Sequence, residues 1–191
     1  MRVYIVRHGQ SAANVSGIRN GQGNVPLTQK GMDEALELRF KLSGITFDCI
    51  YSSDLIRAID TCKIAIPESN PIKVKELREI DVGSLTGKTN EECLKLFQSE
   101  YSVNSANCNF VPYGGENLEM VFDRVSSFMH LLEFLPEDST VAVFAHLGSI
   151  VSILRYVLGC RIDGKRVFVG NCSIIEVEYT NGNWKLIRLG G

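Results

Sequence analysis

The sequence predicts an α/β fold built on a largely parallel sheet. Three observations carry this prediction. Short apolar runs of strand type alternate with stretches of helical periodicity along the whole chain. The run Thr140–Phe144 is the most hydrophobic, as a strand buried on both faces should be, and is placed at the centre of the sheet. Near the C-terminus, Asn181-Gly182 separates two strand-like runs and marks a hairpin, so the sheet ends in an antiparallel pair. The 191 residues, 45% hydrophobic and 22% charged, fit one domain or one domain with a modest insertion.

Val3–Val6 reads as the first strand. Thr28 is a plausible N-cap for a helix from about Gln29 to Leu42, with Gly44 as its stop. Phe47–Tyr51 reads as the second strand. Ser53 is placed as the cap of a helix that carries Leu55, Ile56, Ile59 and Ile64 and ends before Pro67. A short strand at Ile72–Val74 precedes a loop with Glu76, Arg78, Glu79 and Asp81, then a helix from about Asn90 to Phe97. Residues 98–115 are rich in Ser, Asn and Gly yet carry Tyr101, Phe110 and Tyr113, which suits a lid or insertion. An amphipathic helix from about Asn117 to Leu135 follows, then the central strand and a helix from about Ser149 to Leu158. Val167–Val169, Ile174–Tyr179 and Trp184–Leu189 complete the strands.

Composition excludes several classes. A formal net charge of −2 provides no global field for nucleic acid or anionic membrane, so neither partner is expected. No stretch approaches the roughly 18 apolar residues of a spanning helix. The opening apolar run is too short for a signal peptide, and the six cysteines are scattered without a Cys-x-x-Cys pair. Reduced thiols and a cytoplasmic location are expected.

Candidate chemistry collects after the strands. Arg7 and His8 follow the first, Arg57 lies just past the second, Glu79 follows the third, and His146 follows the central one. Open α/β sheets hold ligands at such strand ends. A neutral imidazole is a competent nucleophile near pH 7, and arginines can bracket the oxygens of a phosphoryl group during transfer. A carboxylic acid must then protonate the leaving oxygen. Glu79 is the best-placed candidate, but Glu76 and Asp81 share its loop, so spacing alone leaves the acid open. No metal is required for this chemistry, and a zinc site at the histidines would lack a third ligand. The bland alternatives are a structural core histidine at His146 and a helix-surface arginine at Arg57. His130 lies off the apolar stripe of its helix and reads as a solvated residue.

The motifs resemble those of the histidine phosphatase superfamily, the phosphoglycerate mutase-like group, over nearly the whole chain. The resemblance rests on Arg7-His8-Gly9-Gln10-Ser11 with Asn14, and on Pro26-Leu27-Thr28 with Gly31. It continues through Ser52 to Ala58 with Thr61, Leu77-Arg78-Glu79 with Gly83 and Gly87, Gly114 to Asn117, and Phe144-Ala145-His146. It implies a three-layer α/β/α sandwich on a mostly parallel six-stranded sheet with one antiparallel strand. It implies a single domain over residues 1–191, with the lid at about 98–115. His8 would be the phosphorylated nucleophile, Arg7, Arg57 and His146 the phosphate pocket, and Glu79 the general acid/base. Asn14, Asn20, Gly21 and Leu147 would assist phosphate or substrate binding, with no cofactor and no metal. Leu147 replaces the glycine usual after the second histidine, Asn20 and Asn24 replace glutamine (or threonine) and aspartate, and Asn117 replaces serine. Asp81-Val82 also differs from the aromatic-bearing acid loops of the family.

No Lys, Arg or His lies between Lys95 and Arg124, so the lid offers no cation for a second anionic group. The expected function is therefore hydrolysis of a small phosphomonoester, in the branch of α-ribazole and broad-specificity phosphatases, by a monomer or homodimer. The alternatives are a cofactor-dependent phosphoglycerate mutase and a non-catalytic binder of phosphorylated ligands. The lid aromatics Phe97, Tyr101, Phe110 and Tyr113 suggest a substrate with a ring, or else packing within the lid. Cys160 and Arg166 have the Cys-x5-Arg spacing of cysteine-dependent phosphatases, but the cysteine follows a helix rather than a strand, and the spacing is set aside.

Overall fold

The computed structural model describes residues 1–162 and 167–190. In chain order its elements are β1 (Arg2–Arg7), α1 (Ala12–Ser16), β2 (Ile18–Arg19), α2 (Gln29–Leu42), β3 (Cys49–Ser53), α3 (Ile56–Ala65), β4 (Ile72–Val74), β5 (Lys88–Thr89), α4 (Asn90–Ala106), α5 (Leu118–Leu132), β6 (Thr140–Ala145), α6 (Leu147–Leu158), β7 (Ile174–Thr180) and β8 (Asn183–Leu189). Six strands form one sheet in the order β4-β3-β6-β1-β7-β8, and β2 pairs with β5 in a separate short ribbon. β4, β3, β6 and β1 are parallel, β7 is antiparallel to β1, and β8 is antiparallel to β7. β7 alone therefore runs against the other five, in agreement with the expected architecture.

The alternation of side chains along each strand divides the core into two layers. Val3 and Ile5 of β1 join Val141, Val143 and Ala145 of β6 on one face, against Val125 and Met129 of α5 and Ile150 and Leu154 of α6. Tyr4, Val6, Ala142 and Phe144 point to the other face, against Leu38 of α2 and Cys62 of α3. Every residue from Val141 to Ala145 is fully buried, which is why this run is apolar without alternation. Among the described residues no helix is long and apolar enough to cross a membrane.

Several local expectations hold. The Thr28 hydroxyl accepts the Gly31 N–H and caps α2. Asn181 and Gly182 both take positive φ, 50° and 73°, as a tight hairpin turn of this twist requires. Asn117 caps α5 by accepting the Met120 N–H, a role its replacement of serine preserves.

Others are corrected. β3 lies two residues beyond the predicted run, because its pairing with β6 and β4 extends through the buried Ser52 and Ser53. Leu55, not Ser53, is the N-cap of α3. Residues 167–169 form no strand. α4 continues past Phe97 to Ala106, with a break in helical geometry at Gln98. Tyr101, Phe110 and Tyr113 are buried with Val82, Leu85 and Cys93 in a small core of their own. These aromatics pack the segment rather than line an open face. Cys160 is exposed beyond the far end of α6, about 18 Å of helix from His146, and its partner in the set-aside motif, Arg166, lies outside the described residues.

The first loop meets α2 backbone to backbone. A Cβ on Gly31 would lie 2.0 Å from the Gln10 carbonyl oxygen, with no flexible side chain there to yield. In an ordinary helix interior Gly→Ala stabilises. Here Gly31→Ala is expected to destabilise, by about 1–3 kcal/mol in urea unfolding.

Candidate active site

Pairing of Arg7 with Ala145 in the β1–β6 ladder places His8 and His146 side by side where the two strands end. Their ring centroids are 5.0 Å apart, and the His8 N–H donates to the Ala145 carbonyl. Three further hydrogen bonds fix this strand end. Asn171 donates to the His8 carbonyl at 2.9 Å. The Gly9 N–H donates to Thr61 Oγ1 at 2.9 Å, and that hydroxyl donates to the Arg57 carbonyl at 2.7 Å. A Cβ on Gly9 would lie 2.5 Å from the Gly31 carbonyl oxygen, so glycine is needed at this position.

His8 is buried, and its Nδ1 lies 2.7 Å from the Gly9 carbonyl oxygen. A carbonyl can only accept, so Nδ1 carries the hydrogen and the neutral ring keeps its lone pair on Nε2. Burial first, then the Arg57 charge, lower the His8 pKa to about 3, with a further contribution from Arg7 and opposition from the Gly9 carbonyl. His146 is fully buried and is pushed well below the ordinary histidine range by burial, then by His8 and Arg57. Its Nε2 lies 2.8 Å from Ser53 Oγ, which also accepts the Leu55 N–H.

The cations are anchored by backbone carbonyls. Arg57 is buried, and its two terminal nitrogens donate to Gly23 O at 2.8 Å and Gly21 O at 2.9 Å. Arg7 donates to the Val169 carbonyl. Burial lowers the pKa of both guanidiniums, and the Glu79 carboxylate opposes it in each, which places Glu79 electrostatically against both. Glu79 Oε1 accepts from Ile80 N and Gly148 N, each at 2.9 Å. Two buried side-chain nitrogens, Arg7 Nε and His146 Nδ1, have no hydrogen-bond partner among the described residues.

The structure thus brings together Arg7, His8, Arg57, Glu79 and His146, with Gly21 as an anchor of Arg57. The other predicted residues make their contacts around this centre. Asn14 Oδ1 accepts from the N–H and hydroxyl of Ser11 at the start of α1. Asn20 donates to the Gly23 carbonyl at 2.7 Å and shapes the loop that holds Arg57. Asn24 accepts the Ile56 N–H at the first residue of α3. Leu147 opens α6 half-buried against the core.

Four contributors received no site role from the sequence: Ser53 and Thr61, although both lie in the motifs quoted above, and Gly148 and Asn171. Ser53 closes a strand, so the strand-end rule applied to the other residues would have found it. Thr61 lies one helical turn after Arg57, on the same face of α3. Gly148 lies in the first turn of α6, two residues after His146. A Cβ on Gly148 would stand 2.3 Å from Glu79 Oε1, so this glycine admits the carboxylate to the first turn of α6.

Two outcomes follow from this geometry. Because the folded His8 value lies below the ordinary 6.5, the unfolded chain takes up a proton first as pH falls. The His8 contribution to stability is therefore complete above about pH 6.5 and declines as pH falls toward 3. Nitrogen NMR should show a neutral His8 ring from pH 7 to pH 5; a midpoint above 6 contradicts the burial argument. Gly148→Ala should expel the Glu79 carboxylate and lower turnover on the order of 10²-fold, with the fold intact by circular dichroism.

The family model of the histidine phosphatase superfamily (branch 1) matches residues 3–190. A 2,3-bisphosphoglycerate-dependent phosphoglycerate mutase of Rhizobium etli is 35% identical over 166 residues, 78% of this chain and 76% of that protein. An adenosylcobalamin/alpha-ribazole phosphatase of Escherichia coli is 28% identical over 187 residues, 93% of this chain and 91% of that protein. The crystal structure of the alpha-ribazole phosphatase from Shigella flexneri superposes with a TM-score of 0.92 at 22% identity, covering 100% of this chain and 96% of that one, a likeness of fold. With the motif residues gathered at one sheet edge and the family model spanning nearly every residue, the chain belongs to the histidine phosphatase superfamily, branch 1.

Proposed function

We propose that this chain is a phosphomonoesterase that hydrolyses a small phosphorylated metabolite through a phosphohistidine on His8. The observation that carries the reading is a pair of buried nitrogens with no hydrogen-bond partner among the described residues, Arg7 Nε and His146 Nδ1, on the two residues that flank His8, one in sequence and one in space. Buried polar groups without partners are rare, and an oxyanion in the pocket supplies the missing acceptor. If the Ser53 hydroxyl donates to His146 Nε2, the neutral tautomer presents Nδ1–H as a donor to that oxyanion.

In this reading His8 Nε2 attacks phosphorus and the bond from phosphorus to the ester oxygen breaks. Glu79 gives its proton to the departing alkoxide. Glu79 then takes a proton from water, which attacks the phosphoramidate; the P–N bond breaks and phosphate leaves. Arg7, Arg57 and His146 hold the equatorial oxygens in both halves. Depressed basicity keeps His8 unprotonated and ready at neutral pH.

Hydrolysis is favoured over phosphoryl shuffling by the wall that residues 98–115 build against Val82 and Leu85, just past Glu79. That wall contributes no cation between Lys95 and Arg124. The arginine that reaches it, Arg19, is committed to Tyr101 Oη at 2.9 Å and Ser105 Oγ at 2.7 Å. Residues 98–115 serve as the lid of a single domain. The six cysteines, none of them in a disulfide, suit a reducing cytoplasm, and the working form is a monomer or homodimer.

Turnover of p-nitrophenyl phosphate in EDTA tests the reading. Wild type should be active, and His8→Ala should lose at least about 10³-fold. The trapped phosphoenzyme should be acid-labile and base-stable, as a phosphoramidate is. Full activity in His8→Ala overturns the nucleophile. Interconversion of phosphoglycerates without phosphate release would assign the mutase reaction instead. A panel of α-ribazole phosphate, sugar phosphates and phosphoglycerates then identifies the substrate.

A further inference from the structure

Glu79 sits in a stretch, residues 78–82, with no helix or strand ladder to hold its backbone. Arg124, one helical turn and a half into α5, supplies that support. Its guanidinium donates to the carbonyl oxygens of Glu76, Arg78 (2.8 Å) and Glu79 (3.1 Å). The remaining donors form a two-point ion pair with Glu116, at 2.8 and 3.0 Å. Glu116 in turn accepts the Asp81 N–H at 2.9 Å and donates its own N–H to the Asp81 carbonyl. Gly115 permits this approach, since a Cβ there would lie 2.3 Å from Asp81 O. Both partners are largely buried. The acid loop is thus gripped on both sides of Glu79 by one fork of donors and one carboxylate.

We propose that Arg124 and Glu116 are positioning residues for Glu79, acting through its backbone and setting how well it protonates the leaving group. The proposal rests on reading Glu79 as the acid of a phosphatase. Neither side chain is assigned contact with substrate. Only a planar guanidinium can serve the carboxylate and three carbonyls together; lysine keeps the charge but offers a single nitrogen. An error of 1 Å in a catalytic group can cost on the order of 10²-fold.

The dependence on leaving group separates positioning from general damage. p-Nitrophenolate departs with little protonation, whereas the alkoxide of glycerol phosphate needs the acid. kcat/KM reports the first transfer, to His8, and is the quantity to compare. Arg124→Lys and Glu116→Gln should each lower kcat/KM for glycerol phosphate on the order of 10²-fold while that for p-nitrophenyl phosphate hardly changes. In a Glu79→Gln background, Arg124→Lys should add no further loss on glycerol phosphate. Equal losses on the two esters, no loss on either, or an additive loss in Glu79→Gln would each overturn the assignment. Wild-type turnover tests the phosphatase reading; the ratio between the two esters tests the clamp. Glu116→Gln keeps an acceptor for Asp81 N–H and so carries the comparison if Arg124→Lys unfolds.

Discussion

Arg7 pairs with Ala145 in the parallel ladder between β1 and β6, and the two histidines therefore leave neighbouring strands at the same height. A slip of one residue would turn one histidine to the opposite face of the sheet, because side chains alternate. The register is held by the core itself. Ile5 and Val143 face one helical layer, while Val6 and Phe144 face the other, and no shifted pairing buries both sets. Hydrophobic burial thus determines the distance between two polar rings.

That placement has an electrostatic consequence. Both imidazoles are buried beside two guanidiniums, so protonating either would add a further positive charge to a buried site that already holds two. They stay neutral, and the Gly9 carbonyl selects the His8 tautomer with Nε2 bare. Cations that would bind an anionic group also oppose protonation of His8. The Glu79 carboxyl is felt by both arginines and is tied to α6 through Gly148.

The loops around this centre interlock through glycines rather than through side-chain packing. Gly31 lets Gln10 approach α2, Gly115 lets Asp81 approach the segment before α5, and Gly148 admits the Glu79 carboxylate. Each close approach leaves no room for a methyl group. This explains why motifs spread over most of the chain are glycine-bearing, although the reacting groups are few. The aromatics of residues 98–115 follow a different logic: Tyr101, Phe110 and Tyr113 build a local core with Val82, Leu85 and Cys93.

Much of this was legible in the sequence. Strand and helix order, the Thr28 cap, the Asn181-Gly182 hairpin and the arrival of Arg7, His8, Arg57 and His146 at strand ends depend on residues close together along the chain. Periodicity, capping and turn chemistry are local, so a linear reading reaches them. Choosing Glu79 over Glu76 and Asp81 took the family's motif as well as the spacing. What the tertiary structure decided lies between residues far apart: the β1–β6 register, Ser53 on His146, Thr61 on Gly9, Gly148 on Glu79 and Arg124 on the Glu79 backbone. The same holds for the sign of the histidine pKa shifts, which depends on burial and on charges from other elements. Sequence alone determined which groups meet at one edge of the sheet, because that follows from the order of strands. Their protonation, tautomer and rigidity were decided only by packing, because those properties belong to the surroundings of a side chain and not to its neighbours in the chain.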